Sequence, residues 1–104
     1  MTSSPVEHFV TATAANTAYP VQNVGPILFR SAAVLGVKSF AAGGKPTANT
    51  GDVYLGVTRN RIPIKVESGK FVVIEAPLGD TYDLRSFWFT ADNANDGLQF
   101  ILTP

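Results

Sequence analysis

The 104-residue chain carries eight Lys and Arg against eight Asp and Glu, no cysteine, 45% hydrophobic residues and only 15% charged ones. That length suits a single domain, able to bury roughly two-thirds of the surface its unfolded form exposes. Zero net charge lacks the basic excess of a phosphate-binding surface, and the missing thiols exclude disulfides, thiolate metal sites and a cysteine nucleophile.

Nine glycines and seven prolines cut the chain into short segments. None offers the roughly 8–12 residues of 3.6-period pattern that a capped helix needs. Short apolar runs between turn residues instead predict an all-β fold, an antiparallel β-sandwich of about seven to eight strands spanning residues 1–104. Val6, His8, Val10 and Ala12 alternate with Glu7, Phe9, Thr11 and Thr13, as on the two faces of a strand. Residues 18–23 contain Pro20, which suits an edge strand or bulge. Residues 26–29 form a short buried run, and residues 33–40 a β-branched and aromatic strand. Residues 41–51, with Gly43-Gly44, Lys45-Pro46 and Asn49-Thr50-Gly51, read as a loop. Val53–Val57 is a strand, and Ile62, Ile64 and Val66 share one face of the next, with Pro63 as an edge guard. Lys70–Ala76 is nearly continuous in apolar residues. Asp83–Ser86 leads into the aromatic strand Phe87-Trp88-Phe89, the turn at residues 92–97 follows, and Leu98–Leu102 is the last strand.

Candidate chemistry is sparse. His8, the only histidine, has Glu7 on the opposite strand face, and a catalytic or metal-binding histidine needs companions. The turn Asp92-Asn93-Ala94-Asn95-Asp96-Gly97 has the outline of a calcium loop, but Ala94 has no ligating side-chain oxygen and Thr103 stands where a bidentate Glu is required. It reads as a polar hairpin turn with Gly97 at positive φ. Gly43-Gly44-Lys45-Pro46 lacks the spacing of a phosphate loop, and Pro46 removes an N–H that such a cradle uses. Most acidic residues lie in or beside turns, and nothing selects a catalytic pair. No catalytic, cofactor or metal site is therefore expected, and no cofactor.

The charged fraction lies well below the usual ~25%, which fits either a large core or a surface that a partner covers. In the aromatic strand, Phe87 and Phe89 share one face, so a core position for them points Trp88 outward or into an interface. Arg59, Arg61 and Lys65 form the nearest thing to a basic cluster. Trp88, Arg59 and Arg61 are the candidate interface residues. A carbohydrate-binding module using Trp88 and Tyr82 is the alternative reading, and an enzyme using His8 or Glu75 the remote one.

From Asn49 onward, four stretches stand out: Asn49-Thr50-Gly51-Asp52-Val53-Tyr54-Leu55-Gly56; the segment from Ile64 through Ser68-Gly69 to Phe71-Val72-Val73-Ile74; Asp83-Leu84 before Phe87-Trp88-Phe89; and Asn95-Asp96-Gly97 before the last strand. Together they resemble small virion-associated β-sandwich proteins of the head, neck or tail of tailed bacteriophages. Pro63 departs from that pattern, and the first 48 residues show no comparable likeness. The resemblance implies a structural homo-oligomer that contacts itself and other virion proteins, not nucleic acid or membrane. Residues 1–5 have neither the basic nor the apolar region of a secretory leader, and no apolar run approaches ~18 residues. The expectation is synthesis in the bacterial cytoplasm followed by incorporation into a virion. Residues 1–5 are expected to form a flexible arm, and the weak signals up to residue 20 suggest a longer segment that orders on docking.

Overall fold

The computed structural model, which describes residues 4–104, is built from antiparallel strands and two short 3-10 turns, with no α-helix among the described residues. The first half holds β1 (Val6–Thr11), β2 (Tyr19–Pro20), β3 (Leu28–Phe29), β4 (Ser31–Leu35), β5 (Val37–Phe40) and β6 (Pro46–Ala48). The second half holds β7 (Val53–Gly56), β8 (Ile64–Val66), β9 (Phe71–Glu75), β10 (Tyr82–Asp83), β11 (Trp88–Ala91) and β12 (Gly97–Thr103). The 3-10 turns are Ala42–Gly44 and Leu84–Ser86.

Two four-stranded sheets form the sandwich. Sheet A has the order β1-β12-β4-β9 and sheet B the order β2-β11-β7-β8. The ribbons β3-β10 and β5-β6 complete the fold. Residues opposite one another in an antiparallel pair share a face, so the registers assign the sides directly. In sheet A, Phe100 and Leu102 of β12 align with Val34 and Ala32 of β4, Leu98 aligns with Val10 of β1, and all three β12 residues point inward. In sheet B, Phe89 and Ala91 align with Leu55 and Val53, and Val53 with Val66, on the inner face. Phe29, Leu84 and Phe87 close one end of the core. Each such aromatic or Leu side chain removed from water contributes about 1.5–3 kcal/mol.

The β-sandwich expected from the alternating pattern is present, with twelve strands among the described residues instead of seven to eight. Part of the excess is β6 and β10, three and two residues long, too short to leave a periodic trace. The expected strand at 33–40 is two strands, because Gly36 breaks it: its N–H donates to Lys70 O (2.9 Å) and its carbonyl accepts from Asn49 and Gly69. The expected loop at 41–51 contains a 3-10 turn and β6, which pairs with β5. The turn at 92–97 is not a hairpin. It carries the chain from β11 in sheet B to β12 in sheet A, and the positive φ falls on Asn95 (70°) while Gly97 begins β12. Pro20 and Pro63 do mark the two edges of sheet B, on β2 and just before β8.

Over residues 6–20, the segment expected to order only on docking is already part of the sandwich. β1 pairs with β12 at six successive positions, Ala12 is fully buried, and its N–H donates to Asp96 O (2.8 Å). Of the expected arm at 1–5, residues 1–3 lie outside the described residues, and Ser4 and Pro5 are exposed ahead of β1.

Candidate assembly surface

Sheet A has a second face. The register aligns Phe9, Gln99, Leu35 and Phe71 in one row across its four strands, and Glu7, Ile101, Ala33 and Val73 in the next. Both rows point away from the core. Phe40 of the β5-β6 ribbon packs edge-on against Phe9, with ring centroids 5.9 Å apart. Among the described residues, no other layer covers the far end, where Phe71 is 64% and Val73 56% exposed. The apolar character of β9 on both faces thus has two causes: Val72 and Ile74 pack on the core, and Phe71 and Val73 face outward. Exposed apolar side chains in adjoining rows make this face a candidate contact surface, with Glu7 and Gln99 at its β1-β12 end.

Trp88 lies on the outer face of sheet B, opposite Pro20 and Gly56, while Phe87 and Phe89 are buried behind it. Arg59 and Arg61 both sit on the turn between β7 and β8, held by Arg61 N–H donating to Thr58 O (3.3 Å). The Arg59 guanidinium carbon lies 5.9 Å from the Trp88 ring centroid, within cation–π range. Arg61 is exposed two residues further on. Sheet order thus brings Arg59 and Trp88 together across about thirty residues of chain, a proximity no local pattern encodes. Tyr82 instead packs against Phe29 and Phe87, with centroids 6.1 and 6.0 Å away. Tyr82 therefore meets the core-facing side of the aromatic strand, and Trp88 and Tyr82 do not form one stacking platform. Arg59→Ala is expected to uncover the indole and shift its emission to longer wavelength, with a stability change below about 1 kcal/mol. Unchanged emission would show that the guanidinium does not shield the ring in solution.

The sheets are locked together at the 92–97 arch. Asp96 is fully buried, and its two carboxylate oxygens accept from the N–H groups of Thr50 and Gly51, each at 2.9 Å. Next to it the buried Asn49 side chain pairs with the Gly97 backbone as a strand would: its amide donates to Gly97 O (2.8 Å) and its oxygen accepts from Gly97 N–H (3.0 Å). A Cβ at Gly97 would fall on the Val10 carbonyl oxygen, so only glycine fits there. Sequence reading placed these residues in two separate turns and missed the contact, although Asn49-Thr50-Gly51 and Asn95-Asp96-Gly97 were both conspicuous.

His8 is structural here. It lies on the inner face of β1, with Nε2 2.8 Å from Val21 O and its ring near Phe100. Among the described residues, no three His, Asp or Glu side chains gather as a metal-holding group. An apolar cleft of about 380 Å³ opens between the β8 and β9 edges, lined mainly by Val57, Ile64, Ile74, Tyr82 and Phe87. Beside it, the Arg85 guanidinium hydrogen-bonds Asp83 at 2.8 Å and holds that carboxyl below its ordinary pKa. No helix of the described residues is long and apolar enough to cross a membrane. No protein-family model, curated protein or solved structure matches this chain.

Proposed function

We propose that this chain is a non-enzymatic structural protein that acts through protein–protein contacts, as a homo-oligomeric component of a tailed-phage particle. The observation that carries the assembly reading is the outer face of sheet A, where Phe71, Val73 and Ile101 stand exposed in adjoining rows. The low charged fraction has a physical place in this reading: apolar side chains occupy sheet positions that a freely dissolved monomer fills with charges. Trp88 with Arg59 and Arg61 forms a smaller second contact patch, of the residue types that anchor interfaces. The phage assignment rests on the four sequence stretches after Asn49 and on the assembly surface together.

Light scattering on the purified chain tests self-assembly, with at least two copies per particle expected at micromolar concentration. Mass spectrometry of density-purified phage particles from the induced host tests the rest, and the chain is expected to band with the particles. A monomer at every concentration sinks the homo-oligomer, and confinement to the soluble lysate sinks the virion role.

A further inference from the structure

Among the described residues, sheet A ends in two free edges, β1 and β9. An open strand edge is a template for pairing, and proteins blunt the edges they keep single with proline, lysine or bulges. Sheet B follows that rule with Pro20 and Pro63. β9 does not. Its five residues, Phe71-Val72-Val73-Ile74-Glu75, include neither proline nor lysine, and they pair with β4 in unbroken register.

The ladder shows which backbone groups are free. Gly36 N–H donates to Lys70 O (2.9 Å), and Ala76 N–H donates to Arg30 O (2.8 Å). Antiparallel pairs alternate, so Val72 and Ile74 spend their backbone groups on β4. The N–H and C=O groups of Phe71, Val73 and Glu75 therefore point to the open edge.

We propose that β9 pairs antiparallel with β9 of a second copy across a twofold axis at Val73, joining two copies of sheet A into one eight-stranded sheet. This rests on the self-assembly reading above and names its interface. The strand is self-complementary in that register. The free groups of Val73 meet those of its own mate, and Phe71 meets Glu75 on both sides of the axis, so every free donor and acceptor of the edge is satisfied. On the inner face Val72 stands opposite Ile74 of the second copy, apolar against apolar. No like charges are opposed. The apolar outer rows of the two copies then run on as one doubled face.

The other pairings fit less well. β9 against β1 in full overlap sets Glu75 opposite Glu7, and like charges directly opposed destabilise a sheet. Sliding one way brings in Pro5, which has no N–H, and sliding the other runs past the end of β1 at Thr11. β1 against β1 uses a strand already engaged: Phe9 packs on Phe40, and His8 is tied to Val21 on the inner side. The inner side of β9 instead borders the open cleft around Ile64, Ile74 and Val57, which a second strand at this edge would roof.

Amide hydrogen exchange across a concentration series, together with the solution masses of Val73→Pro and Val73→Lys, tests the pairing. In the associated state the amides of Phe71, Val73 and Glu75 are expected to exchange at least tenfold more slowly, with those of Glu7, Phe9 and Thr11 unchanged. Val73→Pro is expected to weaken association at least a hundredfold, because its N–H lies outside the β4 ladder and is needed only across the axis. Val73→Lys leaves the backbone intact and places two charges at the axis, so it decides the matter if the proline variant folds poorly. An oligomer whose β9 amides stay unprotected, or which survives Val73→Lys undiminished, overturns the edge pairing and leaves self-assembly standing. A monomer at all concentrations overturns both.

Discussion

Asp96→Ala is expected to lower the melting temperature by roughly 10–20 °C, the counterpart of about 3 kcal/mol in a domain of this size. The carboxylate is fully buried and accepts two backbone N–H groups from the 49–51 segment. Hydrogen bonds to a charged acceptor contribute more than neutral ones, and their removal leaves both donors without a partner. The loss extends beyond the side chain, because the 49–51 segment connects β6 to β7 and the 92–97 arch connects sheet B to sheet A. Freed from Asp96, the arch no longer holds the two sheets at one separation. Asp92→Ala is the control: Asp92 is exposed on the same arch, and a change within about 0.5 kcal/mol is expected. Equal melting temperatures for Asp96→Ala and Asp92→Ala would show that the buried carboxylate contributes nothing to the lock.

Phe29→Ala is expected to cost about 3–5 kcal/mol in urea unfolding, the largest loss of any single substitution considered. Phe29 is almost fully buried although β3 has only two residues. Its ring packs against Tyr82 edge-on and against Phe87 at 5.9 Å, and these three rings plug the end of the sandwich beside the cleft. Alanine leaves a void that the flanking ribbon cannot close, since β3 is held by β10 alone. The Phe29→Ala and Tyr82→Ala double mutant is expected to show a coupling of about 0.5–1.5 kcal/mol, as for an interacting aromatic pair. A Phe29→Ala cost below about 1 kcal/mol would mean that the ring is not part of the cooperative core.

The shortage of charge in the sequence has a location in the fold. Among the exposed large apolar residues, Phe9, Phe71, Val73 and Ile101 gather on the outer rows of sheet A. A sheet with one face in the core and one in water alternates apolar and polar residues. β8 keeps a charge on its outer side, with Lys65 ion-paired to Asp52 at 3.7 Å. β9 breaks that rule over four residues. Its departure from alternation and its freedom from edge-blunting residues coincide, and the proposed pairing with a second copy would account for both.

How far the sequence could be read follows from the range of the forces involved. Strand alternation, glycine and proline punctuation and the absence of helical periodicity are local, and they determined the all-β class, the division of Phe87 and Phe89 from Trp88, and the proline-marked edges of sheet B. The alternation of β1 was legible but its integration was not, because the ladder that fixes it comes from β12, some ninety residues away. The 92–97 arch could not be told from a hairpin, because turn chemistry is the same whether the next strand returns to its own sheet or crosses to the other. Asp96 looked like a solvated turn residue until the distant 49–51 backbone came to meet it. The apolar rows of sheet A exist only after four strands from both ends of the chain are set side by side. The tertiary structure alone decided these points, since burial and cross-strand register depend on residues far apart in sequence.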